Sequence, residues 1–341
     1  YEKKGATALA YQGAYAEFLA VHGKGLLTGP QDPNDPLAQQ KQVDFSLSVL
    51  RIPQASLQPL AQAMAAHSSP AVRFLGWMVY GTLRDRAIAE GAQSLKRLLA
   101  TLRQHAGQET DPYVLRELMS TFRLPLVPDP ELKIGEAEYR AAQEGMFGVL
   151  QGVWTRLCRQ VYQSDSAASP EAAYDAAVGL RQLVAGLGGG VDKQAALQMV
   201  LNMTYSASRS YDRAWQLLKA AEAAKEAAGT GGAEAPVRQG AAEHAVSANQ
   251  YLLTVCEEML NELTGKEAPG DQQIRTALTS VAAATDRGAP VRLGALKWVT
   301  LLVKAHGLKD PKDLVEPATQ PATRPATQPA TQPATAPAKV G

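Results

Sequence analysis

The sequence predicts an all-α fold, and three observations carry that prediction. Of the 341 residues, 59 are Ala and only four are Ile (Ile52, Ile88, Ile134, Ile274), a bias toward the best helix former and away from a leading strand former. Small polar residues followed directly by Pro recur along the chain, the order of an N-cap and a first helical residue. Between these marks apolar residues repeat at helical spacing, and no segment alternates as a strand does. A β-sandwich or β-barrel is excluded on the same grounds. About a dozen helices of roughly 12 to 28 residues are expected, joined by short connections that favour antiparallel neighbours stacked as helical hairpins.

Taken in order, Ala6 to His22 forms the first helix, stopped by Gly23, and the Pro-rich connection Leu26 to Asp35 (LLTGPQDPND) follows. Helices open at Asp35-Pro36, Ser69-Pro70, Asp111-Pro112 and Ser169-Pro170. Glycines close others: Gly107 after Gln93 to Ala106, the run Gly188 to Gly190 after Pro170 to Ala185, and Gly307 after Pro290 to His306. The long segment from Glu136 to about Gln163 carries Tyr139, Met146, Leu150, Val153, Leu157 and Val161 on one face, and Ile274, Leu278 and Val281 mark another helix. A second Pro-rich connection, Leu124 to Gly135 (LPLVPDPELKIG), is long for a helical array and divides the chain; GTGG at 229–232 is a softer hinge. The organisation read from these marks is N-terminal helical layers over 1–123, the connection 124–135, C-terminal layers over 136–316, and a tail over 317–341.

The tail repeats PATQ, PATR, PATQ, PATQ, PATA and supplies almost no apolar side chain able to hold a core, so it is expected to be disordered. Its 25 residues reach up to about 75 Å as a polyproline-like spacer. Such Pro-Ala-Thr tails resemble linkers of exported bacterial proteins, which favours an exported or periplasmic setting in a bacterial cell envelope. Net charge is +1, and because the tail holds Arg324 and Lys339 with no acid, the body carries −1. That balance does not advertise nucleic acid or an anionic membrane. The longest uncharged stretch, Ile52 to Val72, contains Pro53, Pro59, Pro70 and His67, which a bilayer span does not tolerate.

Catalytic and metal-binding patterns are searched for in turn. The five His (His22, His67, His105, His244, His306) have no HxxxH or ExxH spacing. His22, His105 and His306 fall in last helical turns, where an imidazolium caps the dipole. Glu243-His244 could orient a base, but Cys256 is out of phase with it. Cys158 and Cys256 form no CxxC; in a stacked array they are expected several layers apart, at roughly 10 Å per layer, too far for a bridge. Gly186 to Val191 lacks the last glycine of a dinucleotide fingerprint, and Gly265-Lys266 lacks the rest of a P-loop. The acidic pairs Asp32/Asp35 and Asp129/Glu131 lack EF-hand register. Trp77 and Tyr80 with Phe74, and Trp154 with Phe147, are read as core, with a concave groove as their other use. No cofactor or metal is expected.

Three Pro-started helices share a Val-Arg pair: Pro70-Ala71-Val72-Arg73, Pro236-Val237-Arg238 and Pro290-Val291-Arg292. With Asp286 ahead of it, Val291-Arg292-Leu293-Gly294 resembles the second helix of a HEAT repeat, an armadillo-type helical repeat. The resemblance implies that Asp286 and Arg292 belong to a structural polar ladder between repeats, with Val72, Arg73, Val237 and Arg238 at matching positions. The match is partial. His67 and Gly232 stand where the Asp should precede Val72 and Val237, and 54 residues separate Val237 from Val291 where about 40 to 47 are expected. Tyr211-Asp212-Arg213-Ala214-Trp215, echoed by Tyr174-Asp175, is similar to a tetratricopeptide helix. Both families stack helix pairs around one continuous core. The expected architecture is an α-solenoid, and the expected function is a non-catalytic scaffold that binds a protein or peptide on a concave face. The alternative is a helical enzyme or small-ligand protein with a pocket near residues 124–135.

Overall fold

The computed structural model describes residues 2–29, 37–52, 54–124, 133–228, 234–264 and 288–316. Twelve α-helices lie among them and no strand does. They are α1 (Glu2–Thr28), α2 (Ala38–Leu50), α3 (Gln58–Ala65), α4 (Pro70–Ala89), α5 (Ala92–Gln108), α6 (Pro112–Ser120), α7 (Glu136–Gln163), α8 (Ala168–Leu187), α9 (Lys193–Ala228), α10 (Glu234–Thr264), α11 (Gly288–His306) and α12 (Pro311–Val315). The opening at Asp35-Pro36, the apolar set Ile274, Leu278 and Val281, residues 125–132 and 229–233, and the tail lie outside the described residues.

Packing follows chain order. Helices α2, α4, α6, α8 and α10 form a run in which each touches the next, and α5, α7, α9 and α11 form a second run. Cross-pairs α3–α4, α5–α6, α7–α8 and α9–α10 join the two runs. One continuous apolar cluster, from Ala16 to Val315, fills the space between them. Helix α9 is the middle of the C-terminal part, touching α7, α8, α10, α11 and α12. It is buried nearly all round between Ala196 and Tyr211. Three of its buried hydroxyls are satisfied within the helix, Thr204, Ser206 and Ser208 each donating to the carbonyl four residues back, while Ser210 donates to the Ser164 carbonyl after α7.

Several expected boundaries move. Helix α1 does not stop at Gly23 but runs to Thr28, and a Cβ at Gly23 would lie 2.1 Å from the Phe45 ring of α2. Gly23 therefore marks a close helix approach. His22 is consequently not in a last turn. Helix α8 starts at Ala168, with Ser169 and Pro170 inside its first turn, where Pro is tolerated because those N–H groups have no helical acceptor. Helix α5 includes Gly107 and ends at Gln108. Ser69 holds the N-cap position of α4 without a side-chain cap bond, Asp111 caps α6, and Gly188 and Gly307 close α8 and α11 at positive φ (52° and 61°).

The cysteines are also closer than expected. Because α9 packs on both α7 and α10, Cys158 and Cys256 flank the same stretch of it, one beside Ser206 and the other beside Thr204. Both are free and buried. Burial pushes the Cys256 thiol up to about 12, and burial with the neighbouring Cys256 raises Cys158 well above its ordinary value. Neither is a ready nucleophile. Trp77, Tyr80 and Trp154 are core residues rather than groove lining, with Trp154 Nε1 donating to the Met199 carbonyl at 2.6 Å.

Candidate functional site: a cleft across α6, α8 and α10

Three successive helices of one run present polar faces side by side. In α6, Val114, Leu115, Leu118 and Met119 go to the core, so Tyr113, Arg116 and Ser120 occupy the outer face at helical spacing. The Asp111 carboxylate fixes the start of α6 by accepting from the Tyr113 and Val114 N–H groups at 3.0 and 3.1 Å. In α8, Ala172, Ala173, Ala176 and Leu180 are buried, which turns Glu171 and Tyr174 outward, while Asp175, also buried, sits beside them under its arginine partners. In α10 the buried set Ala242, Ala245, Val246, Ala248 and Asn249 leaves His244, Ser247 and Tyr251 on the same side.

These side chains lock together. Glu171 accepts from Arg116 Nη1 at 2.7 Å and pairs with His244 Nε2 at 2.8 Å. Asp175 meets Arg116 Nε at 3.4 Å and also Arg123. The Arg123 guanidinium lies 5.9 Å from the centroid of the Tyr174 ring, and Tyr174 meets Tyr251 edge-on at 6.5 Å. Burial pulls Arg123 down from its ordinary value, and its buried Nε has no hydrogen-bond partner among the described residues. Burial also raises the nearby Glu117 carboxyl, against the Ser120 hydroxyl and the two arginines.

Two adjoining cavities share Glu171 and His244. One, about 500 Å³, runs between α6, α8, α9 and α10 and is lined by Tyr113, Leu217, Ala221, Arg238 and Ala242 among others. The other, about 460 Å³, lies over Arg123, Tyr174, Asp175 and Tyr251. Together they make an elongated cleft with an apolar end and a polar end. Tyr113 and Tyr251 stand at its edges, 64% and 66% exposed. Such rings offer large contact area at low entropic cost.

The positions singled out by the repeat resemblance fall in several places. Val72 is fully buried in α4, whereas Val237 is 72% exposed in α10. Arg73 pairs with Glu109 at 2.8 Å, far in sequence from the His67 position, and also donates to the His67 and Ser68 carbonyls. Arg238 lines the apolar end of the cleft. Val291 and Arg292 lie in the first turns of α11, with side chains outside the described residues, as is Asp286 altogether. Glu243 accepts from Gln239 rather than orienting His244. His105 does lie in a last turn, but burial, outweighing Glu109, lowers its pKa, so the imidazolium cap is corrected to a neutral ring edge-on to Trp77. Among the described residues, no group of three His, Cys, Asp or Glu could hold a metal ion, and no helix is long and apolar enough to cross a membrane.

No protein-family model, curated protein or solved structure matches the chain.

Proposed function

We propose that the chain is a non-catalytic helical-repeat scaffold whose α6–α8–α10 cleft holds an extended protein segment or peptide. The observation that carries this reading is the pair of adjoining cavities sharing Glu171 and His244, edged by exposed Tyr113 and Tyr251. A peptide needs a long trough with anchoring pockets and a few fixed polar groups, and the ion-paired Arg116, Glu171 and Asp175 are held in place before any ligand arrives. The architecture proposed for it is a HEAT-like α-solenoid of stacked hairpins. Its support is the order of packing, in which helices meet neighbours one or two places away in the chain. The tail from Pro317 would act as a tether in a cell envelope, by its composition.

Panning a random peptide library on the full chain tests the reading. Recovered peptides should share a motif and bind at micromolar Kd, and a Tyr113→Ala/Tyr251→Ala variant with an unchanged circular dichroism spectrum should lose at least about tenfold in affinity. No enrichment, or binding indifferent to that variant, contradicts it.

A second reading, a small-ligand or enzymatic pocket beside residues 124–135, is favoured by one observation. Arg123 stands at the edge of that connection with its buried Nε unpartnered among the described residues. Binding of a small carboxylate lost in Arg123→Gln and kept in Tyr113→Ala would move the assignment to this reading.

A further inference from the structure

Helix α1 has two apolar faces. One, with Ala16, Leu19 and Leu27 buried, packs on α2 and α3. About 120° around the helix by phase, Tyr11, Tyr15, Phe18 and His22 form a ladder of rings with successive centroids 6.2, 6.5 and 4.5 Å apart. This ladder faces solvent: Tyr11 is 70% exposed and Phe18 56%, with Val21 (72%) and Leu26 (49%) at its flanks. Its spacing of four, three and four residues is a heptad seam, the period at which one helix seats along another. A contiguous aromatic ridge of this kind marks an interaction site.

We propose that α1 joins two copies of this chain, paired antiparallel about a two-fold axis passing between Tyr15 and Phe18. The ridge is its own complement under that rotation. Tyr15 faces Phe18 of the other copy and Tyr11 faces His22, so every ring meets a ring, as an isologous contact requires. Charge allows the self-pairing. Between residues 11 and 22 the only Asp, Glu, Lys or Arg is Glu17, and by helical phase it lies about 130° from the ridge, so two like surfaces meet without repulsion. The area fits a weak, reversible dimer, at the low end of interface size. A helix of 27 residues is about 40 Å long. At about 200 Å² per ring, the exposed parts of Tyr11, Tyr15, Phe18, Val21 and Leu26 supply roughly 500 Å². A standard interface takes about 800 Å² from each partner.

Sedimentation velocity of the full chain over about 1 to 100 µM tests the proposal. The weight-average mass should rise from one chain to two, and a Tyr15→Glu/Phe18→Glu variant with unchanged circular dichroism should stay monomeric throughout. A Tyr251→Glu control, altered on a different surface, should dimerise as the parent does. Register is read separately: under mild oxidation Tyr11→Cys/His22→Cys should cross-link between copies, and Tyr11→Cys alone should not. A parent chain monomeric at about 100 µM, a dimer indifferent to the Tyr15/Phe18 pair, or cross-linking by Tyr11→Cys alone overturns the proposal.

Discussion

At the scale of single residues, the joint between α5 and α6 is held by charges from two other helices. Glu109, with its side chain only 5% exposed, accepts from Arg73 Nε and Nη2 at 2.8 and 3.1 Å and from the Thr110 and Asp111 N–H groups. Arg156 of α7 donates to the Ala106 and Glu109 carbonyls at the same turn. Burial works to raise the Glu109 carboxyl, but Arg73 and the backbone donors overcome it and hold it below its ordinary value of 4.5. A depressed carboxylate contributes stability that is present above the unfolded value and lost as pH falls through the folded one. His67 and His105 add to this, since burial lowers both from 6.5. Between the folded values and 6.5 the unfolded chain binds more protons, so stability falls on acidification there too. The melting temperature should therefore drop as pH falls below 6.5, from the histidines, and again below 4.5, from Glu109, with the raised Glu117 carboxyl opposing the loss between the two; no loss in either window would contradict these assignments. Glu109→Ala should cost about 2 to 3 kcal/mol in denaturant unfolding, because it leaves Arg73 without its carboxylate, and Glu109→Gln should show a shallower acid slope than the parent. The sequence marks Arg73 only as a candidate ladder position of a repeat. Its partner was not legible, because a contact 36 residues away depends on how α4 and α5 pack.

Helix boundaries were legible wherever backbone chemistry sets them locally. Asp111 caps α6 and Gly188 closes α8 because a capping carboxylate and a positive-φ glycine act within a few residues. They were not legible where tertiary contact decides. Gly23 reads as a stop, yet its missing side chain makes room for Phe45. The two cysteines read as distant because chain separation says nothing of a helix that packs between theirs. The C-terminal element shows the same dependence: Gln198 of α9 donates to the Lys309 carbonyl at 3.0 Å and accepts from its N–H at 2.8 Å, while Arg159 of α7 donates to the Leu314 carbonyl. Gln198→Ala should speed amide exchange across residues 307–316 by about tenfold, a cost near 1 to 1.5 kcal/mol for the lost pair of bonds. Protection equal to the parent's would show that apolar packing alone holds this segment.

At the scale of the whole molecule, the all-α class followed from composition and punctuation, whereas the cleft did not. Each of its helices carries a visible polar face, and Tyr174-Asp175 and His244 each stood out in the sequence. Nothing in a single chain says that α6, α8 and α10 lie side by side, because that neighbour order comes from shared burial of Val114, Ala176 and Ala245. The partners of Glu171 are half exposed or more, Arg116 50% and His244 64%, against 19% for Glu171 itself, and pairs with such open partners are worth about 0 to 1 kcal/mol. Glu171→Gln should therefore leave stability within about 0.5 kcal/mol of the parent while weakening peptide binding, since it loosens Arg116 and His244 together. Equal losses in both would mark the cluster as a structural bridge. The most direct test of the scaffold reading is hydrogen-exchange mass spectrometry of the full chain with and without a library-selected peptide. Slowed exchange confined to α6, the first half of α8 and residues 238–251 of α10 is the predicted result. Protection elsewhere, or none at saturation, would contradict the assignment of this cleft.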